Sequence, residues 1–238
     1  PNNYNPQKNY VKVYERRNWV IDRMYDNNFI SLDDLRFKNK PIQLIERDDR
    51  SFVGADYFYE EIRKILFVNY GKETLYSEGL VIKTSLNTNL QRLAEQSLID
   101  GLIKYDKNQG WRGVVGNLND YNLKFEDVVK KIKNPFPDKW FLAKIEKVDL
   151  PSLYVSSIGL ENIEIDLSLK PNKWLINKQF KKNDLLFLEN YNSSYVVRQI
   201  PNVNGAIIVI EPFSGDILAM SGGFSFELSQ FNRSTQAK

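Results

Sequence analysis

The spacing of apolar residues changes part-way along this chain, and that change limits its fold more than any other feature. As far as Lys133 the apolar positions recur mostly every three or four residues; from Trp140 onward they alternate. The first spacing is the period of a helix, the second that of a strand with one face turned inward. A chain that runs through helices first and short strands afterwards is expected to be α+β. Its strands should gather in a small barrel or sandwich.

The helical part divides at its punctuation. Val13, Val20, Ile21 and Met24 share one face of a first helix, with Arg16 and Arg17 one turn before Val20 and Ile21. Ser31-Leu32-Asp33-Asp34 has the form of an N-cap with an acid at the third position, and Pro41 ends that short helix. The run Glu46–Arg50 reads as a charged, solvated connector. Phe58, Ile62, Ile65 and Leu66 predict a helix over 56–69, with Gly71 as a left-handed stop. Leu80–Leu86 has the alternation of a short strand. Asn87 or Thr88 should then cap the clearest helix, whose stripe is Leu90, Leu93, Ala94, Leu98, Gly101, Leu102 and Tyr105. Gly101 costs about 1 kcal/mol there relative to Ala, which a close neighbour would justify. A last short helix is expected at 124–133, closed by Pro135 and Pro137.

Five strands follow: Trp140–Asp149, Leu153–Ile158, Leu160–Leu167, Asp184–Asn190 and Ser194–Ile200, separated by Asp149-Leu150-Pro151, Gly159, Lys170-Pro171-Asn172 and other turns such as Asn192-Ser193. Gly205–Glu211 and Asp216–Ser221 form a final hairpin around Pro212-Phe213-Ser214-Gly215. Its first strand is apolar on both faces, so it is expected to be buried on both sides.

Composition removes several kinds of chemistry. The chain has no Cys and no His, so it carries no thiol nucleophile, thiolate metal site or imidazole triad. Lys+Arg 33 against Asp+Glu 30 leaves a charge of only +3, which argues for no nucleic-acid partner. Apolar content of 42%, with 13% aromatic residues, suffices for real cores. No apolar run approaches the ~20 residues of a membrane-spanning helix. Paired acids (Asp33-Asp34, Asp48-Asp49, Glu60-Glu61) point in different directions on a helix and read as solvated.

Several motifs do point somewhere. Gln199-Ile200-Pro201, Gly205-Ala206, Glu211-Pro212, Ser214-Gly215, Ala219-Met220, Gly222-Gly223 and Gln230-Phe231-Asn232-Arg233 together resemble the approach to the transpeptidase domain of class A penicillin-binding proteins. Tyr4-Asn5-Pro6, Arg16-Arg17-Asn18-Trp19-Val20-Ile21 and Met24 resemble the last motif of that family's glycosyltransferase domain, with Ile21 where the family usually has Leu. Leu75-Tyr76, Gly79-Leu80, Thr84, Leu86, Leu90-Gln91 and Ala94-Glu95 resemble its inter-domain connector, and Gly110-Trp111-Arg112-Gly113 the opening of an OB-like insert found in 1A-type members. Asn183-Asp184 stands where the family commonly has Gly-Asp.

The resemblance implies a division into 1–45, the helical tail of a glycosyltransferase domain; 46–110, a connector of helix, strand and long helix; 111–204, a five-stranded OB-like barrel; and 205–238, the hairpin opening a transpeptidase domain. It implies a parent that polymerises lipid II into glycan strands and cross-links stem peptides through a penicillin-sensitive acyl-serine. That parent would sit at the periplasmic face of the inner membrane, anchored upstream of this segment. With Pro1 first and Lys238 last, the chain is expected to be an internal piece whose working groups lie off both ends, itself inactive. Arg16 and Arg17 are the implied substrate-binding residues, since a guanidinium fork suits a pyrophosphate donor. No catalytic residue, cofactor or metal is implied.

Some apparent motifs are expected to mislead. Thr235-Gln236-Ala237-Lys238 has the spacing of a nucleophile and its lysine, and Lys83-Thr84-Ser85 and Ser85-Leu86-Asn87 echo other penicillin-binding signatures at positions where a strand end and a helix cap call for those residues anyway. The insert leaves two further readings open. It could dock an envelope protein. Trp140, Phe141, Tyr154, Trp174, Phe187, Tyr191 and Tyr195, with Lys170, Lys173, Lys178, Lys181 and Lys182, could instead bind single-stranded nucleic acid, against which Glu161, Glu164 and Asp166 weigh.

Overall fold

A computed structural model describes residues 4–6, 8–42, 55–192 and 194–237. They fall into two units, Pro1–Ser51 and Phe52–Lys238. The connector at 46–50, with its Asp48-Asp49 pair, lies outside the described residues, as do Ser193 and Lys238.

In the first unit, helix α1 (Tyr10–Asp26) is followed by a 3-10 turn over Leu32–Asn39. The Asp34 carboxylate accepts from the Ser31 backbone N–H at 3.0 Å and from its hydroxyl at 2.7 Å, so the expected cap forms. Those bonds hold Asp34 below the ordinary carboxylate range. No residue of α1 is fully buried, and Val20 and Met24 are exposed. Polar contacts fasten the two pieces instead. Tyr14 donates to Lys38 O at 2.6 Å, and Lys38 pairs with Asp22 at 2.8 Å.

The second unit opens with α2 (Asp56–Ser77), which breaks at Gly71 (φ 77°), the position expected to stop it, and then resumes. Residues 80–86 were expected to be a strand but form no ladder. Val81 is 86% exposed, and Ser85 Oγ donates to Ile217 O of the hairpin. Alternation without a partner edge does not make a strand. Asn87 caps α3 (Thr88–Gln109), its side chain accepting from the N–H groups of Asn89 and Leu90.

The face that α3 buries differs from the expected stripe. Leu93 and Tyr105 are exposed, and Gly101 has nothing near it, so the structure does not explain its presence. Ala94 of that stripe is buried as expected, and Gln91, Ile99 and Asp106, which lie off it, are buried as well. Two flanks explain this. Leu98 and Leu102 turn toward Gly205, and Ile99 and Ile103 toward the sheet.

That sheet has six antiparallel strands: β1 (Gly116–Asn117), β2 (Trp140–Asp149), β3 (Ser152–Ser157), β4 (Leu160–Asp166), β5 (Asp184–Tyr191) and β6 (Ser194–Arg198). The order is β1-β5-β2-β3-β4, and β6 pairs with β5. The short helix α4 (Phe125–Lys131) precedes β2 within the expected 124–133. The α+β class is as expected. The sheet is open, however, and has six strands where a five-stranded barrel was expected.

The open side is filled by the segment between β4 and β5. It buries Leu167, Leu175 and Phe180 in a core with Ile145, Leu153, Val155 and Leu188. Asn172 fastens this segment to the edge of β6. Its amide donates to Tyr195 O at 2.8 Å, and its oxygen accepts from Val197 N–H at 2.9 Å. A side-chain amide thus takes the bonds that a closing strand would have made.

A second core covers the opposite face of the sheet, where Trp140, Leu142, Leu185 and Phe187 meet Ile99, Val128 and Phe224. Both faces of β5 are therefore covered, which accounts for its unbroken run Leu185-Leu186-Phe187-Leu188. Each such side chain contributes about 1.5–3 kcal/mol by leaving water.

The hairpin consists of β7 (Ile207–Ile210) and β8 (Ile217–Ser221), with Gly215 at φ 79° in the turn. Burial on both sides of β7 is not observed. Ile208 and Ile210 are exposed, whereas Ala219, Met220 and Ser221 of β8 are buried. Beyond β8, a side chain on Gly222 would collide with Asn232, whose Cα would lie 2.7 Å from the new Cβ. One on Gly223 would meet the Tyr57 hydroxyl, which itself donates to Ser229 O at 2.7 Å. Close approach of α2 and of the segment before α5 (Arg233–Gln236) thus explains the Gly222-Gly223 pair.

Candidate functional site

The described residues present two candidates: the arginine pair on α1, and a polar junction along α3.

On α1 the two arginines differ. Arg17 donates through Nη1 to Lys40 O (2.8 Å), through Nη2 to Lys38 O (2.9 Å), and through Nε to Asn18 Oδ1 (3.1 Å). Its guanidinium also lies 4.5 Å from the Tyr14 ring centre. All three nitrogens are therefore engaged, Nη1 and Nη2 holding the 3-10 turn against α1 and Nε bonding within α1. Arg16 lies over the Trp19 ring at 4.3 Å and makes no hydrogen bond among the described residues. It is exposed, and an anion would find its donors free to turn. The structure thus places the predicted pair side by side in sequence but in unequal roles.

The junction was not anticipated. Asp106, 2% exposed near the C-terminal end of α3, gathers the two segments that lead into and out of the sheet. It accepts from Arg112 Nη1 at 2.7 Å, from Gln199 Nε2 at 2.7 Å and from Asn202 N–H at 3.0 Å. Arg112 also donates to Ile200 O at 2.6 Å, and Gln199 accepts from Arg112 N–H at 2.9 Å. The chain leaving α3 and the chain returning from β6 are thereby tied to each other and to the helix. Burial alone would raise the Asp106 carboxyl, but the bonds from Arg112, Gln199 and Asn202 outweigh it and hold the group below the ordinary range.

At the other end of α3, Gln91 (2% exposed) grips β8. Its amide donates to Met220 O at 2.9 Å and its oxygen accepts from Met220 N–H at 2.8 Å. Asn87 N–H donates to Leu218 O beside it. One helix therefore holds the neck of the sheet domain at one end and the hairpin at the other.

The misleading motifs have structural employment. Ser85 is bonded to Ile217 O and Asn87 caps α3. Thr235 N–H donates to Asn232 O within the α5 turn, and its apparent lysine partner, Lys238, is outside the described residues. Glu60 pairs with Arg63 at 2.7 Å and Glu61 with Lys64 at 3.1 Å.

Gln91 and Gln199 were visible only as letters in the motifs. Asp106 gave one signal, a lone acid four positions beyond Leu102 on the helical period. Of its partners only Arg112 is near in sequence, while Gln199 and Asn202 lie more than ninety residues on, so their convergence could not be read from spacing.

No family model matches the chain. Penicillin-binding protein 1A of Rickettsia prowazekii is 35% identical to all of it, with the chain spanning 31% of that protein's length. The counterpart in Pseudomonas aeruginosa is 30% identical, again over the whole chain and 30% of its own length. Among solved structures, penicillin-binding protein 1A from Haemophilus influenzae matches 99% of the chain with 35% of its own, at a TM-score of 0.66 and 25% identity.

Proposed function

We infer, from the premise that this chain belongs to the penicillin-binding protein 1A family, that it is the joint of a peptidoglycan synthase. The chain spans about a third of the relatives it matches, and the activities of the whole protein are proposed for it on that footing. In this reading the parent polymerises lipid II into glycan and cross-links the stem peptides through a penicillin-sensitive serine. It works on the periplasmic side of the inner membrane. Among the described residues no helix is long and apolar enough to cross a membrane.

One observation carries the linking role on the side of the hairpin: α3 binds the neck of the sheet domain through Asp106 and the hairpin through Gln91. A helix of 22 residues held at both ends transmits position rather than absorbing it. The division proposed is a glycosyltransferase tail over 1–45, a connector over 46–110, an OB-like insert over 111–204 and the start of a transpeptidase domain from 205. In this scheme Arg16, rather than the fully engaged Arg17, is the arginine left to meet a pyrophosphate. The inward placement of Trp140 and Phe187 favours a spacer or a protein-docking module over a nucleic-acid platform.

The test is incubation of the chain with a fluorescent penicillin and, separately, with lipid II. No covalent label and no glycan polymer are expected, and covalent labelling would overturn the reading. Limited proteolysis should leave a stable core within 111–204; progressive digestion without a core would refute the insert as a folding unit.

A further inference from the structure

A groove of about 510 Å³ lies between α3 and the ends of β2, β5 and β6, away from both bonded ends of α3. Its lining is mixed, with Ile99, Ile103 and Phe136 among charged and amide side chains. Phe136 stands edge-on to Trp140, their ring centres 5.3 Å apart. That volume suits a ligand of a few residues rather than a protein surface.

The charges of the groove are unusual in their arrangement. Arg198 and Glu189 are both largely buried, 19% and 16% exposed, and are joined by Nε and Oε2 at 2.6 Å. The same Glu189 oxygen accepts from Trp140 Nε1 at 3.2 Å. One edge of the guanidinium is thereby fixed, while its Nη1 and Nη2 have no hydrogen-bond partner among the described residues. Lys139 stands exposed on the rim. Across from them, Asp100 accepts from Gln96 at 2.8 Å.

A preoriented fork with two unpaired donors recognises a planar oxyanion. Mixed signs decide which one. Arg198 and Lys139 are matched by Glu189 and Asp100, so the groove has no net positive charge to repay the larger desolvation cost of a doubly charged phosphate. A carboxylate carries one charge, and a ligand with an ammonium group at its other end satisfies Asp100 as well.

We propose that this groove binds a short peptide by its free C-terminal carboxylate, held by Arg198 and Lys139, with aliphatic side chains on Ile99 and Ile103. The site does not depend on the joint described above, so either can fail alone.

The test is titration of the full chain with trialanine, with its C-terminal amide and with inorganic phosphate, following backbone amide resonances of Ile103, Lys139 and Tyr191. Trialanine should give saturable shifts, and the amide should bind about tenfold more weakly for loss of the charged acceptor. Arg198→Lys keeps the charge and removes the fork, so it should weaken trialanine but leave the amide unchanged. Should that variant misfold, Lys139→Ala, which removes an exposed side chain, should still lower affinity for the acid alone. Equal binding of acid and amide, phosphate binding as tightly as trialanine, or no saturable shift at millimolar concentrations would each overturn the proposal.

Discussion

The two ends of α3 do the same task with different chemistry. Gln91 is neutral and both gives and takes a hydrogen bond, which fits a strand edge where donor and acceptor stand side by side at Met220. Asp106 only accepts, which fits a point where donors from two separated segments, Arg112 before the sheet and Gln199 and Asn202 after it, converge. An amide extends a ladder; a carboxylate gathers loose ends. The second arrangement carries charge-assisted bonds, so it is the stronger and the more sensitive to conditions.

The most severe way to break this comparison is Asp106→Ala. It strands three donors at a site that is 2% exposed and should cost about 3 kcal/mol. Denaturant unfolding measures the loss, and hydrogen exchange at Asn202 N–H should accelerate with it. A loss no greater than that of a surface substitution would remove Asp106 from the joint. Gln91→Ala leaves Met220 N–H and C=O without their partner and should cost about 2 kcal/mol. Its effect should appear as faster exchange at Met220, not at Asn202. Equal acceleration at both amides would mean that the two ends act as one unit.

Acid sharpens the contrast further. Because the Asp106 carboxyl is held below its ordinary value, its contribution is present above the unfolded pKa of about 3.9 and is lost as pH falls through the lower folded value. Asp106→Asn should flatten that part of the stability profile below about pH 4, whereas Gln91→Ala should shift the whole profile without changing its slope. The smallest effects belong to α1. Arg17→Ala should cost about 1 kcal/mol, because it frees Lys38 O and Lys40 O, and Arg16→Ala close to nothing. Thermal melts of the two variants compare them directly, and equal losses would contradict the unequal roles assigned here.

Much of the fold was legible. Strands β2 to β6 lie close to where alternation placed them, because one-sided burial writes a period of two into the residues. Asn87, Ser31 and Gly71 did what their chemistry predicts locally. The failures share a cause. Residues 80–86 alternate but find no edge, Leu93 and Tyr105 stay exposed on an apolar stripe that α3 buries only in part, and Ile208 faces outward on a strand apolar throughout. In each case the pattern states what a segment could bury, and neighbours distant in sequence decide what it does bury. The arginine pair was equally legible as a pair, but not its division of labour, because Lys38 O and Lys40 O come from a separate turn.

The residues alone determined the helix-then-strand order, the caps and turns, and the membership of the family through motifs spread along the chain. The tertiary structure alone decided that the sheet stays open with Asn172 completing its edge, and that Gln91 and Asp106 make α3 a joint. Local propensity acts within a few residues, whereas a buried polar group must find partners wherever the chain brings them, and only the folded arrangement says where that is.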